Sequence, residues 1–138
     1  MKKLISLLLL LCLCISFAGC SLITGAKGEV FVAAEGERYA TTVNSVKENG
    51  YKDVEYFMAE IQQMIPFGSG FTLNLDGDHT GEVKYSLYDG EGNEFYSGES
   101  ALEIPVAIGT YYCIIEVNWG DEAYSETFQH AFCFVRSK

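Results

Sequence analysis

From Gly68 onward the chain breaks into short apolar–polar alternations separated by clusters of Gly, Asp and Asn. Helices cannot use that texture; stacked antiparallel strands require it. Phe71, Leu73 and Leu75 alternate with Thr72 and Asn74, and Val83, Tyr85 and Leu87 alternate with Lys84, Ser86 and Tyr88. Asp76-Gly77-Asp78-His79-Thr80-Gly81 lies between them and Asp89-Gly90-Glu91-Gly92-Asn93 follows, both rich in turn-forming residues. A short strand around Phe95, an inward pair Leu102 and Ile104 before Pro105, and long segments over 111–119 and 127–135 complete the series. Because successive strand side chains point to opposite faces, each segment has one face to bury. The expected fold is mainly β, an antiparallel β-sandwich, with residues 29–138 forming one domain.

Upstream, residues 29–34 (EVFVAA) read as a first strand and Glu35-Gly36-Glu37 as a turn, while 38–46 stays ambiguous. Asn49-Gly50 marks another turn. One amphipathic helix is predicted over 53–65, where Val54, Phe57, Met58, Ile61, Met64 and Ile65 recur at spacings of three and four. Asp53 suits its N-cap and Pro66 its end. A stripe of this kind could face a partner, but packing on a sheet is the simpler use.

The segments 111–119 and 127–135 can pair as a hairpin around Gly120-Asp121. A register placing Cys113 opposite Cys133, and Ile115 opposite Ala131, gathers Tyr111, Cys113, Ile115 and Val117 with Ala131, Cys133 and Val135 on one face. Tyr112, Ile114, Phe128, Phe132 and Phe134 then fall on the other. The facing cysteines form a disulfide or stay as two buried thiols. The second apolar face is covered by the helix or open to a partner. Tyr112, Phe132 and Phe134, with Trp119 beside the turn, are the candidate partner contacts; for Trp119 the alternative is the core.

Gly109-Thr110-Tyr111-Tyr112-Cys113 resembles the strand F signature of immunoglobulin-like domains. The resemblance, over roughly 71–135, implies an Ig-like sandwich with a tyrosine corner at Gly109 and Tyr111, the Tyr111 hydroxyl returning to the backbone. Two departures stand out: the candidate strand B, 71–75, holds no cysteine, and the candidate strand C holds no Trp. The inter-sheet disulfide of antibody domains is therefore not expected.

The N-terminus carries a separate message. Lys2 and Lys3 precede an apolar run over 4–17, and the small residues Ala18 and Gly19 precede Cys20. These are the three parts of a secretory signal, too short for an ordinary membrane span. Phe17-Ala18-Gly19-Cys20 resembles the lipobox of bacterial lipoproteins, with Phe17 where Leu is usual. The resemblance implies cleavage before Cys20, a diacylglycerol thioether on that cysteine, and further acylation such as palmitate. Residues 1–19 are then the signal peptide and 20–28 the lipidated cysteine with a brief tether.

The chain has 9 basic and 19 acidic residues, a formal net charge of −10, and the signal removes two of the bases. That balance argues against nucleic acid. His79 and His130 show no metal-ligand spacing and no nucleophile motif, and the Asp/Gly loops lack an EF-hand pattern, so no catalytic residue, metal or cofactor is assigned. The expected function is non-enzymatic: an extracytoplasmic binding module, lipid-anchored to the cell membrane or an outer membrane. Its partners would be the bilayer, through Cys20, and an envelope protein or glycan. The alternatives are an accessory structural subunit of an envelope complex and a hydrolase with a scattered site around His79 and nearby acids.

Overall fold

A computed structural model describes residues 28–98 and 102–137; Cys20, the expected lipidation site, and most of the expected tether lie outside them. Two sheets pack face to face. The smaller has the order β2 (Glu37–Ala40), β1 (Glu29–Ala34), β5 (Thr72–Asp76). The larger runs β3 (Thr42–Ser45), β9 (Ser125–Arg136), β8 (Gly109–Gly120), β6 (His79–Asp89), β7 (Glu94–Gly98). β4 (Met64–Pro66) adds to β9 in parallel, beside β3 on the same edge and the one parallel pairing among the described residues. Two short helices, α1 (Val46–Asn49) and α2 (Val54–Glu60), lie between β3 and β4.

Alternation explains the core. Val30, Val32 and Ala34 of β1 turn inward against Leu87, Cys113, Ile115, Val117, Phe132 and Phe134 of the larger sheet. The segment 38–46 is two strands in line. β2 pairs with β1, the chain bends at Thr41, and β3 continues along β9. One stretch thus stitches both sheets together, which its mixed polarity did not reveal.

Three expectations are corrected. The helix ends at Glu60, where Ile61 takes extended backbone angles and caps it. Val54 and Phe57 pack on the outer face of the larger sheet. Ile65 instead enters the inter-sheet core from β4, and Met64 is exposed. A helix on the outer face cannot deliver Ile65 to the inner one, so the apolar spacing over 61–65 belongs to a strand.

The β8–β9 register differs by one residue. Cys113 faces Phe132 and Tyr112 faces Cys133, because the connection is a four-residue loop between Gly120 and its partner Ser125. A one-residue slip moves every side chain of a strand to the other face. Phe128, Phe132 and Phe134 therefore join the inner core with Tyr111 and Cys113, while Ala131 faces outward under α2.

The disulfide is the third correction. Cys113 and Cys133 are both buried and free, on opposite faces of the sheet. Burial pushes the Cys113 thiol far above its ordinary range; burial also raises Cys133, partly offset by a contact with Tyr112.

The chain enters the described domain at Gly28, against the ring of Trp119, where Gly77 also packs. A Cβ on Gly28 would overlap that ring. Gly28→Ala is expected to cost about 1–2 kcal/mol by overpacking, read as a lower urea midpoint at unchanged slope.

Candidate functional site

The outer face of the larger sheet divides into rows of cross-strand partners. Lys84, Glu116, Gln129 and Asn44 follow one another across β6, β8, β9 and β3. The next row holds Ser97, Ser86, Ile114 and Ala131. α2 lies over the apolar part, with Val54 and Phe57 against Ile114 and Ala131, and Met58, Ile61, Tyr88 and Tyr112 around them. The helix thus covers part of this face and leaves the polar part open.

At the boundary, two buried amides hold the connector that leads into α2. Gln129 accepts from the Lys52 backbone N–H and donates to the Lys52 carbonyl, each at 2.9 Å. Asn44 donates from Nδ2 to Gln129 Oε1 and to the Gly50 carbonyl, again at 2.9 Å. A primary amide here imitates a neighbouring strand, satisfying backbone groups that no ladder reaches. Tyr51 then donates its hydroxyl to Glu116 Oε1 at 2.9 Å. Gln129→Leu removes an acceptor and a donor at once and leaves Asn44 only its bond to the Gly50 carbonyl. Its expected cost is about 2–3 kcal/mol in denaturant unfolding.

The pinned connector forms one wall of an open groove of about 450 Å³. Lys52 stands on that wall; Lys84, Ser86, Ser97, Ile114 and Glu116 line the rest. None of these was singled out from sequence except as alternating strand residues. Their proximity depends on the cross-strand register, which a single strand's pattern does not carry.

The candidate residues named from sequence scatter. Cys20 lies outside the described residues. Trp119, Phe132 and Phe134 are core, no more than 2% exposed, and so cannot present an aromatic contact face. Tyr112 is half-buried beside α2. Tyr111 donates its hydroxyl to the Ala107 carbonyl at 2.9 Å and stacks on Phe134, pinning the approach to β8 beside Gly109. The Asp89 carboxylate caps its own turn, accepting from the backbone N–H groups of Asn93 and Glu91. The Asn93 bond, foremost, holds that carboxyl below its usual range.

Both histidines sit by Trp119. His79 is exposed with its ring edge-on to the indole, while His130 is buried with both ring nitrogens engaged. Trp119 Nε1–H donates to His130 Nε2 at 2.8 Å, so that nitrogen is the unprotonated one. His130 Nδ1 then carries the proton and faces Thr41 Oγ1 at 3.3 Å, and Thr41 donates onward to the Val30 carbonyl at 2.9 Å. The relay ties β9, β8 and the β2–β3 bend to β1. It is a structural use of histidine, with burial pushing the ring down to about 4.

Among the described residues no group of three or more His, Cys, Asp and Glu side chains is placed to hold a metal ion. No helix among them is long and apolar enough to cross a membrane. Compared with family models, curated proteins and solved structures, the chain matches none of them.

Proposed function

We propose that this chain is a bacterial lipoprotein: an extracytoplasmic Ig-like domain, anchored by acylated Cys20, that binds an envelope glycan or protein without catalysis. The carrying observation is the Met1–Cys20 signal closing on Phe17-Ala18-Gly19-Cys20. Two acyl chains on one cysteine anchor durably, at about 0.8 kcal/mol per buried methylene. Seven residues lie between Cys20 and Gly28, a reach of at most roughly 30 Å. The domain therefore works close to its membrane.

Strand distribution supports the Ig-like part. β1 and β5, the counterparts of strands A and B, share one sheet, while β6, β8 and β9, counterparts of C, F and G, share the other. The Tyr111 corner falls on the strand that this assignment makes F. The polar groove beside α2 supports the binding part, and it replaces the buried aromatic residues as the contact surface.

Anchoring is tested by expressing the full chain in bacteria fed an alkyne fatty acid. The chain is expected to take up label and sediment with membranes, and Cys20→Ser to lose the label. An unlabelled wild-type chain in the soluble fraction would refute the reading.

A further inference from the structure

Resting on the binding-module reading, we propose that the groove between the Lys52 connector and β6–β7 is a site for a compact anionic saccharide. The ligand is one or two sugar rings bearing a carboxylate or phosphate. The groove's volume, about 450 Å³, lies within the range of small-molecule sites.

Charge is the first argument. In a chain of net charge −10, the described cations divide into two groups. Arg38 pairs with Glu29, Lys47 pairs with Glu126, and Arg136 donates to the Pro105 carbonyl and lies over Phe67. Lys52 and Lys84 make no ion pair among the described residues, and both line this groove. Lys52 only rests over the Tyr56 ring. Lys84 is the cross-strand partner of Glu116 yet forms no ion pair with it, and Glu116 has one oxygen engaged by Tyr51. Two ammonium groups without an ion pair, beside the single carboxylate of Glu116, leave this groove with a local positive excess that favours an anion.

The remaining lining selects the kind of anion. Ser86 and Ser97 are cross-strand partners that both line the groove, Ser86 hydrogen-bonded to Tyr88, and their hydroxyls suit a ring's hydroxyl groups. The half-buried Tyr88 ring, above the buried Ile114, offers an apolar edge for a sugar's C–H face. A peptide partner would call for buried aromatic or aliphatic anchor pockets, and a nucleic acid for a longer basic track. Gln129 fixes the Lys52 backbone at both its N–H and its carbonyl, so one wall needs no ordering on binding.

The test is calorimetric titration of the purified chain, in the form cells accumulate, with glucuronate, glucose 6-phosphate, glucose and inorganic phosphate. At least one acidic sugar is expected to bind about tenfold or more tighter than glucose and than inorganic phosphate, weakening as salt rises. Which acidic sugar binds tighter distinguishes carboxylate from phosphate. Lys84→Met is expected to lower that affinity about tenfold while leaving the unfolding temperature unchanged, and Lys84→Arg to retain most of it. Equal binding of glucose would overturn the anionic class, and equal binding of phosphate would overturn the saccharide. Silence from every probe, or an unaffected Lys84→Met variant, would overturn the site itself. None of these outcomes touches anchoring, which the Cys20→Ser labelling decides separately.

Discussion

Phe57→Ala is expected to destabilise the domain by about 3–5 kcal/mol, the range for removing a fully buried aromatic side chain. Phe57 is 0% exposed and, with Val54, is what α2 buries against Ile114 and Ala131. A helix of 7 residues does not hold together alone in water, so losing that contact frees the whole element. The outer face of the sheet then opens around Ile114 and Tyr112. An increase in hydrophobic-dye binding should accompany the lower denaturant midpoint. Met64→Ala supplies the contrast. Had the helix continued to residue 65, Met64 would share the same stripe and a similar cost. It is 61% exposed on β4, and its truncation should cost less than about 0.5 kcal/mol.

Acid is expected to weaken the fold through His130. The folded ring is held neutral, its pKa pushed down from 6.5 to about 4 by burial. A protonated ring would also present a second N–H to the indole N–H of Trp119, which has nothing there to donate to. The unfolded chain takes up that proton near pH 6.5, so between the two values it binds more protons than the folded one. Stability therefore falls as pH is lowered through this window. The contribution is fully present above about pH 6.5 and mostly gone by pH 4, a loss of about 3 kcal/mol. His130→Gln keeps an acceptor and a donor but does not titrate. Urea melts of both proteins from pH 7 to pH 4 should show the variant's slope shallower by that amount. Parallel slopes would mean the ring charges freely within the fold.

The sandwich was legible because period-two alternation in β5 and β6 records directly which face each strand buries. The hairpin register was not. Tyr111–Val117 and Phe128–Phe134 are apolar on both faces, so pattern alone could not choose between Cys133 and Phe132 as the partner of Cys113. The choice was made by a four-residue loop whose length is hard to read among Asp121, Glu122, Ala123 and Tyr124. That single residue decided the disulfide and the fate of the aromatic candidates. The helix misled for a related reason: Ile61, Met64 and Ile65 keep helical spacing while β9 offers an edge that captures them as a strand. The groove was illegible because Lys52, Lys84, Ser97 and Gln129 come from four separate segments. A buried Gln that satisfies a distant backbone has no local signature.

The most direct measurement is the intact mass of the chain isolated from bacterial membranes, with sequencing of its N-terminal peptide. The lipid-anchored reading predicts a chain beginning at Cys20 and carrying a diacylglyceryl group on its sulfur. An unmodified chain beginning elsewhere, or one that retains Met1 and the apolar run, would contradict it.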